Sequence, residues 1–257
     1  MPFIDAHAHL TFADAQNVDE LLERAAGANV CSIINVCTDM GDLERGLALA
    51  KRSTAVAIYT AAALTPHDAG KDDEAFYAEI AKNAEGKNLI AIGEIGLDYH
   101  YNFAPKDVQI ATFKKYLMLA KQHALPVVIH CRDAFDDLVR VIDETAPNIA
   151  VMLHCFTGSV DEAKRAVDRS WYVSMSGIVT FPKSTALQEV ARFIPNNLLL
   201  IETDSPYLAP QGFRGQKNEP ANIVHTAKFV AHLRGMSIED LGIITTDNVK
   251  RLFHGVS

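Results

Sequence analysis

The chemistry of this chain starts at His7 and His9, two imidazoles two residues apart in the run Phe3-Ile4-Asp5-Ala6-His7-Ala8-His9. On an extended segment they project from one face, which makes half of a metal site. Later apolar runs end in Glu94, His130, His154 and Asp204. Neutral imidazoles and carboxylates are ligands for divalent cations. Four histidines and two acids suit two cations better than one, because a single closed site leaves no place for water. Glu94 lies on a run between the His7/His9 side and the His130/His154 side, so it is the carboxylate placed to bridge. Two cations ~3.5 to 4 Å apart stabilise both the attacking and the leaving oxygen of a displacement, so hydrolysis is the expected reaction. One isolated histidine is most often a satisfied core or surface residue. Ligand-type residues at the ends of so many apolar runs outweigh that reading.

Asp204 closes the last apolar run, where a carboxylate can serve both as ligand and as the general base for the attacking water. Glu202 lies ~7 Å back along the same run. Asp5 is similarly deeper than the histidines, and both are expected to support the ligands. Arg132, two residues beyond His130, and Arg214 with Lys217 in the loop after Asp204 are placed to contact phosphate. Cys131 and Cys155 alternate away from their neighbouring histidines and are expected to pack. The chain contains no GxSxG, P-loop or GxGxxG motif and no thiol with its own histidine and acid, so nucleophilic catalysis has no comparable support.

Positioning these residues takes a scaffold of alternating strands and helices. Eight apolar runs are expected as strands: Phe3–His9, Val30–Val36, Ala55–Ala61, Leu89–Ile95, Val127–Cys131, Ala150–Cys155, Trp171–Met175 and Leu198–Asp204. The seventh is short, and Gly177 is placed to end it early. Helical patterns follow at Val18–Ala28, Met40–Lys51, Asp73–Glu85, Lys106–His123, Ala134–Glu144, Val160–Asp168, Thr185–Phe193 and Pro220–Arg234. A final helix is capped by Ser237 with Asp240 three residues on, and runs through Asn248 to Phe253. The pattern predicts a TIM-like (β/α)8 barrel over residues 1–257, a usual size for one such domain. Active sites of these barrels lie at the carboxyl ends of the strands, which is where the candidate ligands fall.

With 49% hydrophobic and 22% charged residues and a net charge of −8, the composition is that of a globular protein without a broad basic surface. A small anionic substrate or a single strand end remains compatible with that charge. No apolar run reaches the ~20 residues of a membrane span, and the amino terminus carries no basic region followed by an apolar core, so neither insertion nor export is expected. The four cysteines lack CxxC spacing and sit in apolar stretches, which fits a reducing cytoplasm.

The segments FIDAHAHL, GEIGLDYH, PVVIHCRDAFD, LHCFTGS and LLLIETDSPYLAP, with RGQKNEP and TTDNVKRLF, resemble the TatD family of metal-dependent deoxyribonucleases within the amidohydrolase-like barrels. The match spans Phe3 to Phe253, and five ordered blocks are far more specific than one HxH. The resemblance implies a TIM-like barrel that binds two divalent cations (Mg, Mn or Zn) and hydrolyses phosphodiester bonds of DNA, often from a 3′ end. It also implies the ligand set: His7, His9 and Asp204 for one cation, His130 and His154 for the other, and Glu94 between them in place of the carboxylated lysine of related barrels. A substrate contact is implied at His67. There the sequence departs from the family's Gly-x-His-Pro-His pattern, reading Ala63-Leu64-Thr65-Pro66-His67, and Thr11 stands where the family usually has Asp or Asn. Two other readings stand beside the nuclease: a hydrolase of small phosphoesters, lactones or amides using the same centre, and a non-catalytic metal-stabilised barrel. The complete ligand set argues against the last.

Overall fold

The computed structural model describes residues 2–12, 17–71, 73–101 and 103–256. Among them, eight parallel strands run side by side in sequence order: β1 (Phe3–Ala8), β2 (Val30–Cys37), β3 (Ala57–Ala62), β4 (Ala91–Asp98), β5 (Val127–Arg132), β6 (Val151–Leu153), β7 (Tyr172–Met175) and β8 (Leu199–Ile201). Helices connect them: α1 (Val18–Gly27), α2 (Met40–Ala50), α3 (Glu74–Glu85), α4 (Lys106–His123), α5 (Phe135–Thr145), α6 (Val160–Val167), α7 (Thr185–Phe193) and α8 (Ile223–Arg234), and α9 (Ile238–Leu252) follows α8. This is the expected TIM-like barrel. No helix among the described residues is long and apolar enough to cross a membrane.

Local chemistry sets the helix ends. Asp39, Asp73 and Ser237 each accept a backbone N–H of the first turn, and Ser159 with Glu162 forms a reciprocal capping box. Helix α4 stops at Ala124, left-handed at φ 52°, just before Leu125-Pro126.

Two apolar clusters hold the layers together. The outer one packs strand residues such as Ile33, Ile92, Ile129 and Val173 against Leu22, Phe76, Phe113, Leu138 and Val190 of the helices. The inner one joins Ile4, Ile34, Ala61, Ala91, Val128, Met152 and Leu200. Residues from seven different strands can meet only in the lumen, and Val249, Leu252 and Phe253 at the end of α9 pack against them there.

The strand ends differ from the sequence expectation where the ligands lie. Strand β8 ends at Ile201 rather than Asp204, β6 at Leu153 rather than Cys155, and β4 continues past Ile95 to Asp98. Backbone conformation accounts for the first two. Asp204 (φ 56°) and Cys155 (φ 42°) take left-handed turns that an L-residue cannot combine with a continuing strand. Strand β4 is longer because its ladder with β5 runs on to Asp98 opposite Arg132. Glycine permits that extension: at Gly96, φ is 140° and a Cβ would lie 1.9 Å from the His130 carbonyl oxygen.

Bulges break the register at two ligand positions. Gly93 faces Val128 and Ile95 faces Ile129, so Glu94 is the extra residue on β4. On β1, Asp5 faces Ile33 while Ala8 faces Asn35, which places the extra residue beside His7. A bulge re-aims side chains that strict alternation would send elsewhere.

Candidate metal centre

The structure brings His7, His9, Glu94, His130, His154 and Asp204 together, five of them on the wall of one cavity and His7 fully buried behind them. The Nε2 atoms of His7 and His9 are 3.1 Å apart. Asp204 Oδ1 lies 3.6 Å from each of them, and Glu94 Oε2 lies 3.8 Å from each. The other Glu94 oxygen, Oε1, is 2.9 Å from His130 Nδ1 and 3.0 Å from His154 Nε2. One carboxylate therefore presents one oxygen to each of two groups, His7/His9/Asp204 and His130/His154, and its sharing between them follows from the bulge that adds Glu94 to β4. All of these side chains are buried except that of His130, which is partly buried.

The outer ring nitrogens decide what the inner ones can do. His9 Nδ1 is 3.0 Å from the Val36 carbonyl oxygen, His130 Nε2 is 2.9 Å from Asp98 Oδ2, and His154 Nδ1 is 3.3 Å from Glu202 Oε1. An acceptor at the outer nitrogen takes one ring N–H, so the inner nitrogen is the one free to ligate. Towards Glu94 the inner nitrogens of His130 and His154 act as donors while they carry a proton, and a divalent cation would take that proton's place between imidazole and carboxylate. The donor set, two imidazoles hydrogen-bonded from behind, a third facing the buried Glu202 carboxylate, and carboxylates in front, fits divalent cations. His7 is fixed differently: its ring stacks on that of His154 with centroids 3.9 Å apart, and its buried Nδ1 has no hydrogen-bond partner.

Protonation follows burial and neighbouring charge. Burial opposes the charge on Glu94, but the charge of His154 and hydrogen bonds from His130 and His154 hold it well below the usual carboxylate range. Burial likewise opposes charging His154, yet Glu94 and Glu202 raise it well above the ordinary histidine value. His7 goes the other way, driven down by burial and then by His154 and His9. Glu202 is raised by burial against the hydrogen bond from His154, and Asp5 is pushed up to about 7 by burial against its hydrogen bonds from Thr203.

Asp5 and Glu202 sit behind the ligands, as expected. Asp5 accepts the Thr203 N–H at 2.9 Å and its hydroxyl at 2.5 Å, while Glu202 Oε1 accepts the Cys155 N–H at 2.7 Å. The packing expectation for Cys155 needs correction. Its left-handed backbone breaks strand alternation, so Cys155 borders the cavity, with Sγ 3.2 Å from Ser176 Oγ. Burial raises its thiol well above the usual range, which leaves it unsuited to nucleophilic attack.

The cavity, about 780 Å³, is lined by His9, Glu94, His130, His154 and Asp204, with His67, Arg132, Tyr101 and Tyr207 among its other walls. His67 Nε2 lies 2.9 Å from Asp98 Oδ2, the same oxygen that His130 contacts. Arg132 has its guanidinium over the Tyr101 ring, 4.7 Å from the centroid. Arg214 is not on this wall; its guanidinium lies over Phe181 at 4.4 Å. Thr65 lines the cavity, whereas Thr11 turns away and donates to Asp42 Oδ1 at 2.6 Å.

Sequence reading missed Asp98 and Tyr101. Asp98 stands four residues after Glu94 in the GEIGLDYH block, and that i, i+4 spacing of acids along one run was the available signal.

Comparison with known proteins decides the family. The model of the TatD related DNase family matches residues 4–254. The chain belongs to the TatD family. An uncharacterized metal-dependent hydrolase of Bacillus subtilis, YabD, is 39% identical over 97% of this chain and 98% of its own length. A TatD protein of Enterobacter lignolyticus, named as a 3′-5′ ssDNA/RNA exonuclease, is 32% identical over 93% of this chain and 94% of its own. Among solved structures, the TatD homolog YjjV of Escherichia coli superposes with a TM-score of 0.91 at 29% identity, covering 99% of this chain and 98% of that one. The chain is thus a TatD-family metal-dependent hydrolase with His, Asp and Glu clusters able to hold metal ions.

Proposed function

We propose that this chain is a two-cation nuclease that removes nucleotides from the 3′ end of single-stranded DNA in the cytoplasm. The observation that carries the reading is Glu94, whose two oxygens face two separate groups of ligand-type side chains at the wall of an open cavity that also holds an arginine. His7, His9 and Asp204 would hold one divalent cation and His130 and His154 the other, with Glu94 shared. Such a pair supplies water activation and charge neutralisation for in-line displacement at phosphorus.

The chain's own residues do the rest. Arg132 binds a non-bridging phosphate oxygen; among the described residues it has no carboxylate partner to compete. His67, held by Asp98, donates to the sugar-phosphate backbone. Asp204 takes the proton of the attacking water, a role matched by its place at the His7/His9 side of the cavity. Asp98 orients His130 and keeps its inner nitrogen free for ligation, while the Glu202 carboxylate faces the outer nitrogen of His154. The name of the Enterobacter lignolyticus relative supports a single-stranded substrate. Four free cysteines support a reducing compartment.

The test is incubation of purified, metal-reconstituted protein with end-labelled single-stranded DNA beside a panel of small phosphoesters, lactones and amides. A ladder shortening from the 3′ end is the expected result. Faster turnover of a small ester, with intact DNA, would give the site to the small-molecule hydrolase instead.

A further inference from the structure

A chain of aromatic contacts leads outward from the candidate centre along one wall of the cavity. His67 is edge-on to His130 with centroids 5.2 Å apart, and edge-on to Tyr101 at 5.7 Å and Phe103 at 5.3 Å. Tyr101 and Phe103 are stacked, with centroids 5.3 Å apart and planes 11° from parallel. Their exposure is unusual for such rings: Tyr101 is 50% and Phe103 67% accessible. Folding therefore gains little from them, yet His67 and the Arg132 guanidinium hold the pair in one orientation.

Exposed, oriented rings of this kind bind either an apolar protein surface or another flat π-system. Two features favour the second. The patch is only two rings wide, too small for a protein interface. It also opens onto the cavity beside Arg132, so a ligand seated on it carries its anionic group toward the ligand cluster. A nucleobase attached to a phosphodiester has both parts.

We infer that Tyr101 and Phe103 form a stacking platform for one nucleobase of the strand being hydrolysed, with Arg132 holding a phosphate between that base and the centre. The inference rests on the nuclease reading and extends it to a base-binding subsite. Every base has a π-face, so the platform is tolerant of sequence. A base inside a duplex already has both faces covered, so the platform selects unpaired strands and frayed ends.

The experiment uses the full chain loaded with Mn²⁺ and a 5′-labelled single-stranded oligonucleotide. A second series of strands carries one abasic tetrahydrofuran residue, stepped inward from the 3′ end. Stacking contributes ~1 to 3 kcal/mol per base, so Tyr101→Ala/Phe103→Ala should raise KM about 5- to 150-fold. Because the contact is present before and during the reaction, kcat should move little. Phe103→Trp should keep the parental KM. One abasic position should reproduce the KM rise in the parent and add nothing in the double variant. An unchanged KM, or a rise that is the same for abasic and normal strands at every position, overturns the platform. Fluorescence anisotropy of the same strands reads binding without turnover. A parent that trims nothing but loses affinity on Tyr101→Ala/Phe103→Ala overturns the nuclease reading and keeps the platform; a parent that neither trims nor binds overturns both.

Discussion

Two seams of the barrel carry five of the six candidate ligands, all but His154 after β6, and they are built differently. Between β4 and β5 the backbone ladder runs from Ile92 opposite Val127 to Asp98 opposite Arg132, interrupted only at the Glu94 bulge. Between β8 and β1 no ladder forms among the described residues. The chain is joined there by Asp204 N–H to the His7 carbonyl at 2.9 Å, His9 N–H to the Ser205 carbonyl at 2.7 Å, and the buried Asp5 carboxylate bound to Thr203. Glu94 and His130 are thus placed by main chain packed too closely for a side chain, whereas His7, His9 and Asp204 are placed by two isolated backbone bonds and a buried carboxylate plug. The first seam should fail when atoms are added, the second when polar groups are removed.

The largest effect is expected on catalysis at the seam without a ladder. Asp204→Asn keeps the shape and one ligating oxygen but loses basicity, so kcat should fall about 10²- to 10⁴-fold with the fold intact. Glu202→Gln, one layer back, should lose less. Equal kcat in parent and Asp204→Asn beside an inactive Glu202→Gln would assign the base to the other acid.

Adding one methyl group tests the laddered seam. Gly96→Ala combines a disfavoured φ with a clash against the His130 carbonyl, and should cost at least about 3 kcal/mol in urea unfolding. A denaturation midpoint like the parent's would show that this strand pair yields more easily than its geometry suggests.

Removing one hydroxyl tests the other seam. Thr203→Val leaves Asp5 and the Ser205 N–H short of a partner, and should cost about 1 to 3 kcal/mol in the same assay. No loss of stability would mean that the backbone bonds alone close the barrel.

The smallest effect separates the two ligand groups. Asp98→Asn weakens the orientation of His130 but touches nothing on the β1 side, so calorimetric titration should show one cation weakened about 10- to 100-fold and the other unchanged. Equal weakening of both would argue against two separable groups. Full hydrolysis by protein shown to be metal-free by elemental analysis would remove the premise of either.

Much of this was legible in the chain. Strands and helices followed from apolar periodicity and capping residues, because burial and backbone satisfaction are local constraints that leave local patterns. His7, His9, Glu94, His130, His154 and Asp204 stood out because ionisable residues at the ends of apolar runs are rare unless a site needs them. What the sequence could not show depends on contacts across the barrel. The Glu94 and His7 bulges exist only relative to a neighbouring strand, and no residue type marks the extra position. Asp98 gains its place from His130 and His67, each more than thirty positions away in sequence. Tyr101 and Arg132 meet only because β4 and β5 continue past their apolar cores. Residue types determined which atoms could bind a cation; the register between strands decided which of them face each other.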